Sequence, residues 1–308
     1  MQEQEVARKL ELCVGSFKKV LYEPDDIFLK NMEKNNLAGD DISKYQLWEW
    51  TQGVGLYGLW KLFERTKDGR YLATLREYYD ARIADGLPGK NINTMAPVLA
   101  LSYLYEYTGD ETYGAVCKEW AQWVMDSLPK TKEGGFQHIT SDTLNDGELW
   151  DDTLFMTVLV LANMGRILGR QDYTDEAVYQ FLLHTKYLAD KKTGLWYHGF
   201  TFHGNGMWHT LIDDPTSYVE ASATSGFGYG ILKAVHMGLV DAAYAENAKK
   251  ALAPILKCIR EDGIVDQVSY GTAMGRVTKD FYKQIPLRQM PYGQAMAMLF
   301  LMEAGEEA

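Results

Sequence analysis

The sequence predicts an all-α protein, an (α/α) toroid of helical hairpins formed as one domain over residues 1–308, and three observations carry this. Apolar residues recur at helical spacing in about ten segments, with no alternating β-run of useful length between them. Segments that are apolar almost all round alternate with segments that are amphipathic, as inner and outer helices would. The pairs recur at a period of roughly 45 to 60 residues, with Thr-Gly-Asp or Gly-Arg-Gln-Asp turns between members. A closed ring accounts for inner helices without a polar face better than an open solenoid does.

Taken in order, Val6, Leu10, Cys13, Val14, Phe17 and Leu21 mark a first amphipathic helix over 6–21. A polar loop punctuated by Pro24 and Gly39 follows. The segment 45–65, with Leu47, Trp50, Val54, Leu56, Leu59, Trp60 and Phe63, reads as a buried inner helix, and 71–83 as its outer partner. The next pair is 94–107 and 113–128, the second member carrying Trp120 and Trp123 and ending at Pro129. After a glycine-rich loop, 152–168 is inner and 172–188 outer; 220–235 and 241–259 form another pair, and 289–303 closes the chain.

Composition narrows the function. The chain is 46% hydrophobic and 13% aromatic, and its 8 Trp and 20 Tyr exceed what a core needs; aromatics with a polar edge are what sugars stack upon. A formal charge of -11 and a pI near 5.1 argue against nucleic acid and against an anionic membrane surface. Cys13, Cys117 and Cys258 are few, odd in number and far apart, which indicates neither a disulfide framework nor a thiolate zinc site. No basic and apolar leader begins the sequence and no run approaches a membrane span, so a cytoplasmic protein is expected. No cofactor is called for.

The stretch from Glu148 to Met156, Glu-Leu-Trp-Asp-Asp-Thr-Leu-Phe-Met, holds the candidate chemistry. Asp151 and Asp152 open a helix, and two readings compete. An Asp there caps the helix and is stabilised as a carboxylate by its dipole; alternatively, one Asp is a general acid held against Trp150 and Phe155, where loss of water raises a carboxyl pKa. Unusual residues collect at other entrances to inner helices: Trp48, Glu49, Trp50 and Gln52; Asn91 and Asn93; Gln137 and His138; Trp196, Tyr197 and His198; Trp208, His209, Asp213 and Asp214. Trp clusters of this kind serve equally well as core plugs. His198, His203 and His209 fit no helix face and lack a carboxylate partner, so no metal site is assigned.

Six segments together carry a family resemblance: Trp-Glu-Trp-Thr-Gln-Gly-Val-Gly-Leu-Tyr-Gly (48–58), Gly-Gly-Phe-Gln-His (134–138), Trp-Asp-Asp-Thr-Leu-Phe-Met (150–156), Thr-Gly-Leu-Trp-Tyr-His-Gly (193–199), Ser-Tyr-Val-Glu-Ala-Ser-Ala-Thr (217–224) and Met-Pro-Tyr-Gly-Gln-Ala (290–295). In this combination and order the chain resembles glycoside hydrolase family 105, the unsaturated rhamnogalacturonyl hydrolases, whose fold is an (α/α)6 barrel. The resemblance implies a cytoplasmic enzyme of pectin degradation that removes a Δ4,5-unsaturated uronic acid from the non-reducing end of a small lyase-generated oligosaccharide. It implies that Asp152 protonates the double bond, and that Trp48, Trp50, Gln52, Asn93, His138, Trp150 and His198 surround the sugar. Asp151 falls where the family has a variable, usually apolar residue.

Two departures from the family pattern matter. Asn93 falls near the family's second acid, and an amide can bond a hydroxyl but cannot share charge. Between Gly199 and Trp208 the family's further hairpin, with its Trp and Arg contacts to substrate, is absent, giving an (α/α)6-barrel-like ring with one hairpin missing. The loss predicts an exposed flank at Val178, Phe181, Leu182 and Leu183 and at Phe227, Tyr229, Ile231 and Leu232, left open or covered by a second subunit in a homo-oligomer. It also predicts weak activity on the family's usual substrates, the alternative being a non-catalytic or impaired oligosaccharide-binding paralogue.

Overall fold

The computed structural model describes residues 2–23, 25–35, 39, 41–188, 207, 210–211, 214, 216–272, 275 and 277–305. By chain contacts these divide into two compact units, Glu23–Trp60 with Gly69–His198, and Met1–Tyr22 with Lys61–Asp68 and Gly199–Ala308. Among the described residues the regular structure is helical. The β-pairing seen among the described residues is of isolated bridges, among them Lys130 with Phe136, Ile259 with Val265 and Ser269 with Leu287.

The first unit contains α2 (Asp26–Asn35), α3 (Ile42–Tyr45), most of α4 (Trp50–Thr66), α5 (Gly69–Asp85), α6 (Ile92–Thr108), α7 (Glu111–Ser127), α8 (Leu159–Leu168) and α9 (Gln171–Leu188). Its centre is α6, buried on nearly every side from Ile92 to Leu104. Asn91 starts that helix with a reciprocal capping box to Thr94, and Gly109, at φ 68°, ends it. Pro97 inside α6 removes one backbone donor, and the Tyr79 hydroxyl donates to the Pro97 carbonyl at 2.7 Å. Beside it, α4 and α6 pass so closely that a Cβ on Gly53 would lie 2.5 Å from the Ala96 carbonyl carbon, which only glycine permits.

The second unit contains α1 (Gln2–Val20), the end of α4, α10 (Ala221–His236), α11 (Ala245–Lys249), α12 (Leu252–Cys258) and α13 (Pro291–Ala304). Both α1 and α10 pack on α13, which begins with proline at its first position and is buried along almost its whole length.

The structure departs from expectation at three elements. The loop after the first helix contains α2 and α3, because the caps Asp25 and Asp41 satisfy free N–H groups inside a stretch too polar to show a stripe. The single helix expected over 241–259 is a 3-10 turn followed by α11 and α12, with Pro254 in the first turn of α12. The helix expected from 152 begins as a π segment, Leu154–Val158, before α8. Of the predicted open flank, Val178, Phe181 and Leu182 are exposed while Leu183 and Leu232 are buried. Residues 189–206, where the missing hairpin is placed, lie outside the described residues. No described helix is long and apolar enough to cross a membrane.

Candidate active site

The connection from α7 to the π segment builds the site. It opens with a tight hairpin in which Gly134 takes φ 89°, Thr131 N–H donates to the Gly135 carbonyl and Gln137 N–H to the Pro129 carbonyl. Gln180 of α9 braces this turn from behind, its amide oxygen accepting from Phe136 N–H and its amide nitrogen donating to the Gly134 carbonyl, both at 2.9 Å. Next, His138 is fixed by its own backbone: its N–H donates to the Glu148 carbonyl at 3.0 Å, and its carbonyl accepts from Asn145 Nδ2 at 2.9 Å. The imidazole stacks on Trp150 with ring centres 4.3 Å apart and planes 4° from parallel, and Trp150 Nε1 donates to Glu148 at 2.9 Å.

That ring presents Nδ1 to Thr153 Oγ1 at 3.0 Å and to Asp152 Oδ1 at 3.3 Å. The Asp152 carboxyl is two-faced. Its Oδ1 is shut away from water with no hydrogen bond of good geometry, yet the side chain as a whole is 41% exposed. Burial first, and the charge of Asp151 second, push its pKa up to about 7. Asp151 turns to the backbone instead, its carboxylate accepting from Asp152 N–H at 2.9 Å and its carbonyl from Leu154 N–H at 3.1 Å. So the members of the pair differ: the Asp151 carboxylate is bonded to backbone, whereas Asp152 carries the desolvated carboxyl. The π segment, in which Leu159 N–H reaches back to the Leu154 carbonyl, inserts a residue in the first turn below this pair, as π-bulges at functional sites do.

A second polar cluster hangs on the same connection. Ser141 donates to Glu49 Oε1 at 2.9 Å and accepts from Asn91 Nδ2 at 2.9 Å. Ile92 N–H, at the start of α6, donates to the Ile139 carbonyl at 3.1 Å. The Glu49 carboxyl, 5% exposed, also accepts from Trp50 N–H at 3.2 Å. Burial pushes its pKa up to about 8, the hydrogen bonds opposing that shift only in part.

Other expected site residues have different employment. Trp48 is 1% exposed, packed on Tyr78, Tyr79 and Trp120, and its Nε1 donates to the Thr94 carbonyl, so it is a core plug with no face for a sugar. Gln52 is buried and spent on the Gln46 carbonyl, Glu49 N–H and Thr51. Trp50, Asn93 and Trp150 are half-buried, and His198 lies outside the described residues. Sequence reasoning passed over Thr153, Ser141 and Glu148, and treated Glu49 only as a rim residue. Hydroxyls at these positions carry no pattern until the connection is folded over the helix starts. Among the described residues no group of three or more His, Cys, Asp or Glu side chains is placed to hold a metal ion.

Comparison with known proteins defines the class as glycosyl hydrolase: the model described as Glycosyl Hydrolase Family 88 matches residues 25–205 and 201–306. The chain is 29% identical, over 82% of its length and 88% of the relative's, to an unsaturated rhamnogalacturonyl hydrolase, YesR, of Bacillus subtilis. A solved structure from Salmonella enterica, described as a possible member of family GH105, is 38% identical with a TM-score of 0.88, covering 98% of this chain and 94% of that one. Another from Klebsiella pneumoniae, with the same description, is 38% identical with a TM-score of 0.80, covering 91% and 92%. The chain belongs to this glycosyl hydrolase group as a member of glycoside hydrolase family 105, and its fold is of the all-α, (α/α) toroid class.

Proposed function

We propose that the protein removes a Δ4,5-unsaturated uronic acid from the non-reducing end of a small oligosaccharide left by a polysaccharide lyase, in pectin degradation in the cytoplasm. The observation that carries this is Asp152, a carboxyl with one oxygen walled off beside His138 and the other side open, and with its pKa raised to about 7. An acid so tuned still holds its proton near neutrality and gives it up readily. Asp152 protonates C4 of the enol ether, and its carboxylate then takes a proton from the water that adds at C5. The hemiketal so formed opens at the C5–ring oxygen bond, and the freed C1 hemiacetal collapses to release the aglycone. No second carboxylate on the opposite sugar face is required, unlike ordinary glycoside hydrolysis. His138, held by Trp150, orients Asp152; Trp50, Asn93 and His198 contact the sugar.

The name of the Bacillus subtilis relative supports a rhamnogalacturonyl substrate. The reading of a non-catalytic paralogue is not favoured.

Turnover of an unsaturated disaccharide, followed as loss of double-bond absorbance, is the test. Asp152→Asn should fold normally and lose at least about a hundredfold, as general acid catalysis is worth roughly 10²–10⁴, whereas Asp151→Asn loses far less. Because the acid form is the working form, kcat/KM should fall as pH rises through about 7. His198→Ala should raise KM more than it lowers kcat. An Asp152→Asn enzyme with most of its turnover would return that residue to a capping role and remove the basis for this function.

A further inference from the structure

Nδ1 of His138 has two oxygens within reach and bonds only one of them. A ring nitrogen carries either one hydrogen or one lone pair, directed outward in the plane of the ring. Thr153 Oγ1, 3.0 Å away, holds the hydrogen bond at that nitrogen. Asp152 Oδ1, 3.3 Å away, is near enough for electrostatic contact but lies off the bonding direction and receives no hydrogen bond. The ring is held in this aim by its stack on Trp150, with planes 4° from parallel, and by the backbone bonds of His138 to Glu148 and Asn145. Thr153 is shut from water, and its hydroxyl makes no other hydrogen bond among the described residues.

The consequence for Asp152 is the same in both tautomers of the imidazole. If Nδ1 carries the lone pair, the Thr153 hydroxyl donates to it; if Nδ1 carries the hydrogen, that hydrogen goes to Thr153 Oγ1. Either way Nδ1 gives nothing to Asp152 Oδ1, and a carboxylate formed there has a buried oxygen without a donor. The other titratable groups around the acid do not supply one. Asp151, on the same turn, opposes ionisation by its charge. Glu148, on the connection, accepts from Trp150 Nε1 at 2.9 Å. From α9, the buried His184 bonds the Gln180 carbonyl through Nδ1 at 2.7 Å, and burial disfavours its charged form.

We propose that Thr153 is a positioning residue: by engaging His138 Nδ1 it withholds the imidazole from Asp152, so that the acid keeps the proton it delivers to the substrate. Without the hydroxyl, the remaining oxygen beside Nδ1 is Asp152 Oδ1, and a small turn of the ring or the carboxyl brings an Nδ1–H into line with it. A hydrogen bond to the ionised form favours that form. Asp152 then gives up its proton at lower pH, before substrate arrives to take it. The inference rests on the hydrolase reading for what Asp152 does with its proton, but not for the coupling of Thr153, His138 and Asp152.

The experiment uses the full chain with Thr153→Val, which keeps the side-chain shape and removes the hydroxyl, and with Thr153→Ser, which restores it. On an unsaturated disaccharide, the fall of kcat/KM as pH rises through about 7 should move about one pH unit lower in Thr153→Val. Turnover efficiency should therefore drop about fivefold at pH 7 and hardly at all at pH 5, and Thr153→Ser should recover the parent profile. The position of the fall does not depend on how much protein folds, so lost stability does not imitate it. A second readout needs no substrate: the titration midpoint of the Asp152 carboxyl carbon, followed by NMR, should drop by the same amount in Thr153→Val. That drop should vanish in a His138→Phe background, which keeps a ring against Trp150 but has no nitrogen. A Thr153→Val profile superimposable on the parent's, a fall displaced to higher pH, or a drop that survives His138→Phe would overturn the proposal. An Asp152 midpoint that follows Thr153 in a protein without disaccharide turnover at any pH would sink the hydrolase reading and leave the coupling standing.

Discussion

Two connections, one in each compact unit, are built on the same plan and differ by one residue. In residues 129–141 and 258–269 the turn bonds correspond: Gln137 N–H to the Pro129 carbonyl matches Asp266 N–H to the Cys258 carbonyl, and Gly134 at φ 89° matches Gly263 at φ 83°. Each turn is braced by one buried glutamine with an acceptor and a donor at the same places, Gln180 on Phe136 N–H and the Gly134 carbonyl, Gln294 on Val265 N–H and the Gly263 carbonyl. Each then hands a carbonyl to the first N–H of a buried helix, Ile139 to Ile92 and Gln267 to Ala221, and a serine to that helix's cap, Ser141 to Asn91 and Ser269 to Glu220. Between the shared brace and the shared cap the first connection has one residue more. That residue is His138. The shorter connection closes the same distance with Gln267 in the left-handed region at φ 61°, a strained conformation for a side chain. The scaffold is thus common to both connections, and the imidazole beside Asp152 is an insertion into it.

Substitutions at matched positions sharpen or break this correspondence. The largest effect is expected at the paired glycines, whose surroundings differ. A Cβ on Gly263 would lie 2.0 Å from the Leu12 carbonyl oxygen, part of a helix that cannot step aside, whereas one on Gly134 meets the end of the exposed Tyr179 side chain at 2.7 Å. Denaturant titration should show Gly263→Ala costing about 4 kcal/mol and Gly134→Ala about half that. Equal costs would mean that the two turns are held alike.

Gln180→Met and Gln294→Met keep the side-chain volume but strand a buried N–H and a buried carbonyl, for about 3 kcal/mol each. Only Gln180→Met should also lower disaccharide turnover, since only its turn carries His138. Deleting His138, which makes the first connection as short as the second, should leave a folded protein with about a hundredfold less turnover, because a displacement near 1 Å at the reacting group costs that much. A deletion mutant with full turnover would show that the insertion does nothing for Asp152. The smallest effect is at Gln267. Its replacement by glycine relieves the left-handed strain and should raise stability by less than about 1 kcal/mol, while Ile139→Gly in the longer connection should lower it.

Legibility followed the range of the interactions. Helix periodicity is local, so α4 to α7, α9, α10 and α13 fell within a few residues of their predicted places, and α2 was missed because its stability comes from caps and packing rather than from a stripe. The candidate acid was legible for the same reason: Trp150, Asp152 and Phe155 are neighbours in sequence, and the choice between capping and desolvation could be posed from them. It could not be decided from them. Which carboxylate of the pair turns to the backbone depends on His138, fourteen residues away and held in place by Glu148 and Asn145. Trp48 misled because Trp at a helix entrance looks the same in sequence whether it faces a sugar or Tyr78 and Trp120.

The chain's residue order alone was enough for the all-α class, the hairpin alternation, the family and the position of Asp152, because each rests on periodicity or on a contiguous motif. Tertiary structure alone decided which polar residues are buried and what they touch: Glu49 reaching Ser141, Gln180 bracing Phe136, and His138 standing as the extra member of a repeated turn. Desolvation and hydrogen-bond geometry are properties of surroundings assembled from distant segments, and both set the chemistry of Asp152 and Glu49.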